Sequence, residues 1–324
     1  MKRILLYLGF CLLLGGPLRA AGEQALAAPL TATVQGATAG TVPDSGLAPG
    51  LSPAEGVNPL TDAPELLSPT SALLEACMGD YNRLDFARAE SEAAQAMALQ
   101  PDHPLPAVYL QGALTAEIQD QIAAGHLTQD LLKRFDLATV HAVALDKSWE
   151  LVHHDAWGQI YIGDSLGARG LVDMYRGRLM KAYSDGKLSA DAMRLAQKRM
   201  AGENDSDLGL GQYMYYCGRL SGVLRMFLVL HGDIPGGIAK LRNCGAAACR
   251  SAPLARLVLA RILSEDMRDY DAALPYVQEA YGRYPLSWDY AKLAMEEAQG
   301  LGLQRPEARA LAETLRAQWQ AGWR

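Results

Sequence analysis

The chain has 324 residues, half of them hydrophobic, which is enough to bury a large core. Its 30 Lys and Arg stand against 36 Asp and Glu, a net charge of −6 with no basic run, and this argues against a nucleic-acid partner. Ala and Leu dominate the second half and β-branched runs are nearly absent, so the composition favours helices over sheets.

The first 27 residues read as a secretory signal. Lys2 and Arg3 form a positive start, residues 4–14 a short apolar run, and Gly15, Gly16 and Pro17 break it. Cleavage fits after Ala27 or after Gly22. An uncleaved signal would act as a membrane tether, but the apolar run is too short for a spanning helix. Loss of 1–27 removes Lys2, Arg3, Arg19 and Glu23 and takes the charge from −6 to −8. Residues 28–66 carry Pro and Gly throughout and no aromatic side chain, the composition of a flexible linker. The folded domain is expected over 67–324, in the periplasm or otherwise exported, with no transmembrane span after cleavage.

From there the periodicity predicts one helix after another. A short helix over 71–78 ends in a turn at Gly79-Asp80. Asp85 caps a helix to Leu99, and Pro101, Pro104 and Pro106 stop it. Helices follow over 106–123 and from Asp130 to about Leu145. Residues 147–175 read as one or two helices, with a break expected at Gly163-Asp164 if there are two. Gly163, Gly167 and Gly170 would let another backbone approach one face. Ser189 is expected to cap a helix to about Ala201, and 202–205 to turn. Residues 207–231 form an apolar helix, 232–237 a turn, and helices follow over 237–244, 253–265, 269–282, 287–299 and 306–323. In the last one Leu311, Leu315, Trp319 and Trp323 lie four apart, as a cap over the preceding core. The fold class is all-α, with short connections and antiparallel neighbours.

One pattern occurs twice at an offset of 184 residues. Asp85, Phe86, Ala89, Ala93, Ala96 and Pro101 match Asp269, Tyr270, Ala273, Val277, Ala280 and Pro285. An acid, an aromatic, small residues every three or four positions and a closing proline describe one close-packed helix. These segments resemble the second helix of a tetratricopeptide repeat. The stretch over about 150–300, with Gly167-Ala168-Arg169-Gly170, Gly209-Leu210-Gly211 and Pro235-Gly236-Gly237, is similar to exported bacterial tetratricopeptide proteins. The resemblance implies a right-handed α-α superhelix that binds protein partners, and it brings no catalytic residue. It is imperfect, since the helices before the two copies lack the family's Trp and Tyr, and Pro275 interrupts the second copy.

Signals for chemistry are sparse. Glu150, His153, His154 and Asp155 cluster on one segment, and Glu150-x-x-His153 has di-iron spacing, but the second such motif that a di-iron site needs is missing. No nucleophile elbow, phosphate loop or His-Glu-x-x-His occurs. The expected function is therefore binding without catalysis, with no cofactor and no metal, to a protein or peptide in the cell envelope. The candidate contact residues are Trp157, Tyr161, Arg169, Tyr213, Tyr216 and Arg219. A small-molecule pocket lined by Trp157, Tyr161, Tyr213 and Tyr216, in which Tyr213 and Tyr216 share a helix face, is the alternative. Arg169, Arg176, Arg219 and Arg225, in the same region as Asp164, Asp173 and Asp207, form internal ion pairs or grip a partner's carboxylate. Cys244 and Cys249 are expected to form a local disulfide if Gly245 ends the helix, because on a continuous helix their Cα atoms would stand roughly 8 Å apart.

Overall fold

The computed structural model describes residues 63–123, 125–219 and 232–283. The expected signal, most of the linker, Arg225 and the helices expected over 287–299 and 306–323 lie outside them. The described residues are all-helical. In chain order they give α1 (Ser68–Asn82), α2 (Phe86–Leu99), α3 (Pro104–Ala123), α4 (Gln129–His153), α5 (Ala156–Tyr175), α6 (Leu179–Arg199), α7 (Ser206–Arg219), α8 (Ile234–Ala246), α9 (Ala252–Arg261) and α10 (Tyr270–Arg283). A π-helical turn, Ile262–Met267, extends α9. The extensive contacts join each helix to its first or second neighbour in the chain, as in α5 with α6, α7 with α8, α1 with α3, and α3 with α5.

The helix starts follow local capping chemistry. Asp85, Thr128, Asp155 and Asp233 each accept a bond from a backbone N–H in the first turn of the helix that follows. The two copies of the repeated pattern share more than composition. Asp85 accepts from the Arg88 N–H and Asp269 from the Ala272 N–H, both at 3.3 Å. The residue before each Asp, Leu84 or Arg268, has a left-handed backbone with φ of 64° or 56°. Ala89, Ala93, Ala96, Ala273 and Val277 are all buried.

Several boundaries differ from expectation. Gly79 and Asp80 stay inside α1, where the Asp80 carboxylate holds Arg83 and Arg88. α4 runs on to His153, and the break falls at His154, which is left-handed with φ 49°, and at Asp155, not at Gly163. Ser189 lies within α6 and caps nothing; its hydroxyl donates to the Gly163 carbonyl at 2.7 Å. Residues 234–237, expected as a turn, already belong to α8, because Asp233 caps it. The glycine face is as expected at Gly170. A Cβ at Gly170 would stand 3.1 Å from the Ala182 carbonyl, a backbone approach, whereas at Gly163 it would stand 2.5 Å from the Met193 side chain, which fills that space.

One apolar core joins α1, α2 and α3 to Trp149, Trp157, Tyr161 and Met193. A second lies among α7, α8 and α9 around Tyr215, Leu241 and Leu259. A third packs Leu114 and Ile118 of α3 on Leu131 and Phe135 of α4. No described helix is long and apolar enough to cross a membrane.

Candidate functional site

Most of the residues expected to form a contact groove are engaged inside the protein. Trp157 and Tyr161 are buried in the first core with ring centroids 6.0 Å apart. Tyr213 packs against that same core under the Arg194 guanidinium, 5.7 Å from its ring, whereas Tyr216 meets Tyr215 edge-on in the second core. Tyr213 and Tyr216, three apart on α7, therefore do not line one groove, because their side chains pack against different cores. Arg169 is held by both oxygens of Asp185 at 2.8 and 2.6 Å, and Arg219 stands 3.6 Å from Asp266. Arg176 binds Asp136, Asp173 lies among Arg176, Arg178 and Lys181, and Asp207 takes Lys240. Among the described residues these charges form internal pairs.

The Glu150 cluster is dispersed. Glu150 accepts two bonds from Arg199, His153 stacks on Trp149 with centroids 3.9 Å apart, and Asp155 caps α5. Among the described residues no three His, Cys, Asp or Glu side chains gather as a metal site. The expected Cys244–Cys249 disulfide is also absent. α8 ends at Ala246, and the turn brings the two sulfurs to 3.6 Å, a thiol contact and not a bond. The contact with Cys249, together with burial, raises the Cys244 pKa. Cys77, buried beside Glu92, is pushed up to about 12.

A cavity of about 110 Å³ lies where α1, α3, α5 and α7 meet the residues that lead into α9. Met78, Val108, Leu208 and Leu254 form apolar walls, and the polar residues Tyr109, Gln111, Asp164 and Arg250 also line it. Arg250 donates to Asp164 at 2.6 Å across 86 residues of sequence, and its Nε stands 4.0 Å from Asp205. Burial opposes the charge on Arg250, but Asp164 and Asp205 outweigh burial and hold its pKa well above the ordinary value. Burial raises the Asp164 carboxyl in turn, and Arg250 offsets that only in part. The Ser251 N–H donates to Asp205 at 2.7 Å, so residues 249–251 are tied down on both sides.

Gln111 donates through Nε2 to the Thr139 hydroxyl and the Ser165 carbonyl. His103 meets Trp149 with ring centroids 4.8 Å apart. Its Nδ1 accepts from the Leu105 N–H and its Nε2 faces the Pro64 carbonyl, which fixes the neutral tautomer with the proton on Nε2. Burial lowers its pKa, consistent with that form. Sequence reasoning passed over Tyr109, Gln111, Gly112 and Arg250, because each lies in an ordinary helical or turn context and their convergence is tertiary. No protein-family model, curated protein or solved structure matches this chain.

Proposed function

We propose that this chain is an exported scaffold of tetratricopeptide type, a right-handed α-α superhelix that binds a protein partner in the cell envelope and performs no catalysis. Packing of each helix on its first and second neighbours supports the repeat architecture. Residues 1–27, read as an export signal, support the location.

The observation that carries partner binding is the outer face of α4. Leu137, Val140, Leu151 and Val152 are 70–75% exposed on it. Exposed apolar residues scattered singly are ordinary; four of them on one helix, interrupted by Lys147 and Ser148, make an amphipathic candidate surface. Leu137, Ala144 and Leu151 are seven residues apart, and Val140 fills the intervening seam position of the first heptad, while Lys147 takes it in the second. The stripe spans roughly 21 Å along the helix axis. The partner is thus a protein that offers an amphipathic helix, and α4 replaces the tyrosine-lined groove as its docking face.

The test places a photo-crosslinking residue at Ala144 and compares the otherwise unaltered chain with a Leu137→Glu, Leu151→Glu double variant in envelope extract. Both substitutions are on the surface, so the melting temperature should be unchanged. A crosslinked protein that disappears in the double variant is expected. Equal crosslinking in both, or crosslinks only to a second copy of this chain, would overturn the reading.

A further inference from the structure

We propose that the cavity beside Gly112 binds a small free aliphatic molecule bearing a hydrogen-bond donor, an amine or an alcohol, and that Gly112 keeps the space open for it. Four observations carry this inference.

The first is Gly112 itself. It lies within α3, where glycine weakens a helix relative to alanine. Several glycines in these helices have a packing reason, as a Cβ at Gly163, Gly211 or Gly237 would stand under 3.0 Å from a neighbour, while Gly186, like Gly112, has none but does not line the cavity. A Cβ at Gly112 meets nothing within 4 Å, and Gly112 lines the cavity. The missing side chain serves no helix contact; it leaves room.

The second is size. At about 110 Å³ the cavity is smaller than the roughly 150 Å³ apolar cavity that holds benzene, and well below the roughly 300–1,000 Å³ of pockets for larger ligands. It suits a molecule of about five non-hydrogen atoms. The third is an open acceptor. Gln111 is 1% exposed, and its Oε1 receives no hydrogen bond. The amide orientation is fixed, since Nε2 faces a backbone carbonyl that can only accept. The fourth is charge. Arg250 stands between Asp164 and Asp205, so the wall has no surplus positive charge for a carboxylate. A donor head group matches it.

Binding is read by saturation-transfer NMR on the full chain, with n-butylamine and isobutanol as probes and n-butyrate as the mismatched one. Saturation transfer to butylamine or isobutanol is expected, with butyrate weaker by about tenfold, one decade in the dissociation constant. Gly112→Leu, which fills the space, should abolish transfer. Gly112→Ala, whose Cβ is accommodated, should remain folded by circular dichroism and bind more weakly. Leu137→Glu with Leu151→Glu should leave it unchanged, which separates this site from the α4 docking face. No transfer to either donor probe, butyrate binding as well as they do, or full binding by a folded Gly112→Leu would each overturn the proposal.

Discussion

Asp146 lies fully buried on α4, and neither carboxylate oxygen meets a hydrogen-bond donor at good geometry. Burial raises its pKa well above the usual carboxylate range; the nearby Ser165 hydroxyl lowers it only in part. A raised acid binds its proton more tightly in the folded state than in the unfolded one. Its contribution is therefore most favourable below the unfolded value, about pH 4, and is lost as pH rises through the folded value. Asp146→Asn keeps the shape and removes the charge. It should raise stability at pH 7 by about 1–3 kcal/mol, the scale of an unsatisfied buried polar group, and the gain should shrink toward pH 4 in paired urea titrations. A gain of constant size at all pH values would mean that Asp146 does not titrate. Nothing in the sequence singles out this carboxylate among the other acids. Which acid is buried depends on how α4 sits against α3 and α5, and no local spacing encodes that. Arg250 was hidden for the same reason, as its partner Asp164 is 86 residues away.

The helix junctions were far more legible. Asp85 could be read as a cap because the chemistry is local: a short acceptor faces free N–H groups in the next turn. The close approach at Gly170 was legible through the glycine spacing. Ser189 misled for an equally physical reason, since a serine inside a helix bonds another helix's carbonyl as readily as it caps its own. The junctions also share a backbone device. Leu84, His154 and Arg268 each take a left-handed conformation immediately before an Asp that caps the next helix. An L-residue pays about 1–2 kcal/mol there, while glycine would cost somewhat less than that in unfolded-chain entropy. Leu84→Gly and Arg268→Gly should therefore each stabilise the fold slightly, by about 0.5 kcal/mol. Ala94→Gly, at an exposed interior position of α2, should destabilise it by about 1 kcal/mol. Urea midpoints of the three variants decide the matter, and losses of equal size at all three would refute the role of the junctions.

At the scale of the whole molecule, the all-helical class was legible from composition and period. The placement of its surfaces was not. The tyrosines and arginines that looked available from sequence are turned into cores and ion pairs, whereas the stripe on α4 was overlooked because a run such as Leu137 to Val152 looks the same whether it faces a core or solvent. The cavity shows how far the chain returns on itself: Met78 and Tyr81 of α1 share its walls with Leu254 of α9. Arg250 spans that return, bonding Asp164 while Ser251 beside it bonds Asp205. A stack in which helices touch only their neighbours can unzip from either end, each unit opening at its own free energy. With the return clasped, fraying of α8 and α9 has to break a partly buried ion pair and expose α1 and α3, so amide hydrogens of α1 to α9 should exchange through one common opening. Replacing the pair by Arg250→Met with Asp164→Leu avoids leaving either charge alone. That variant should let the amides of α8 and α9 exchange ahead of those of α2 and α3, turning one cooperative unit into two.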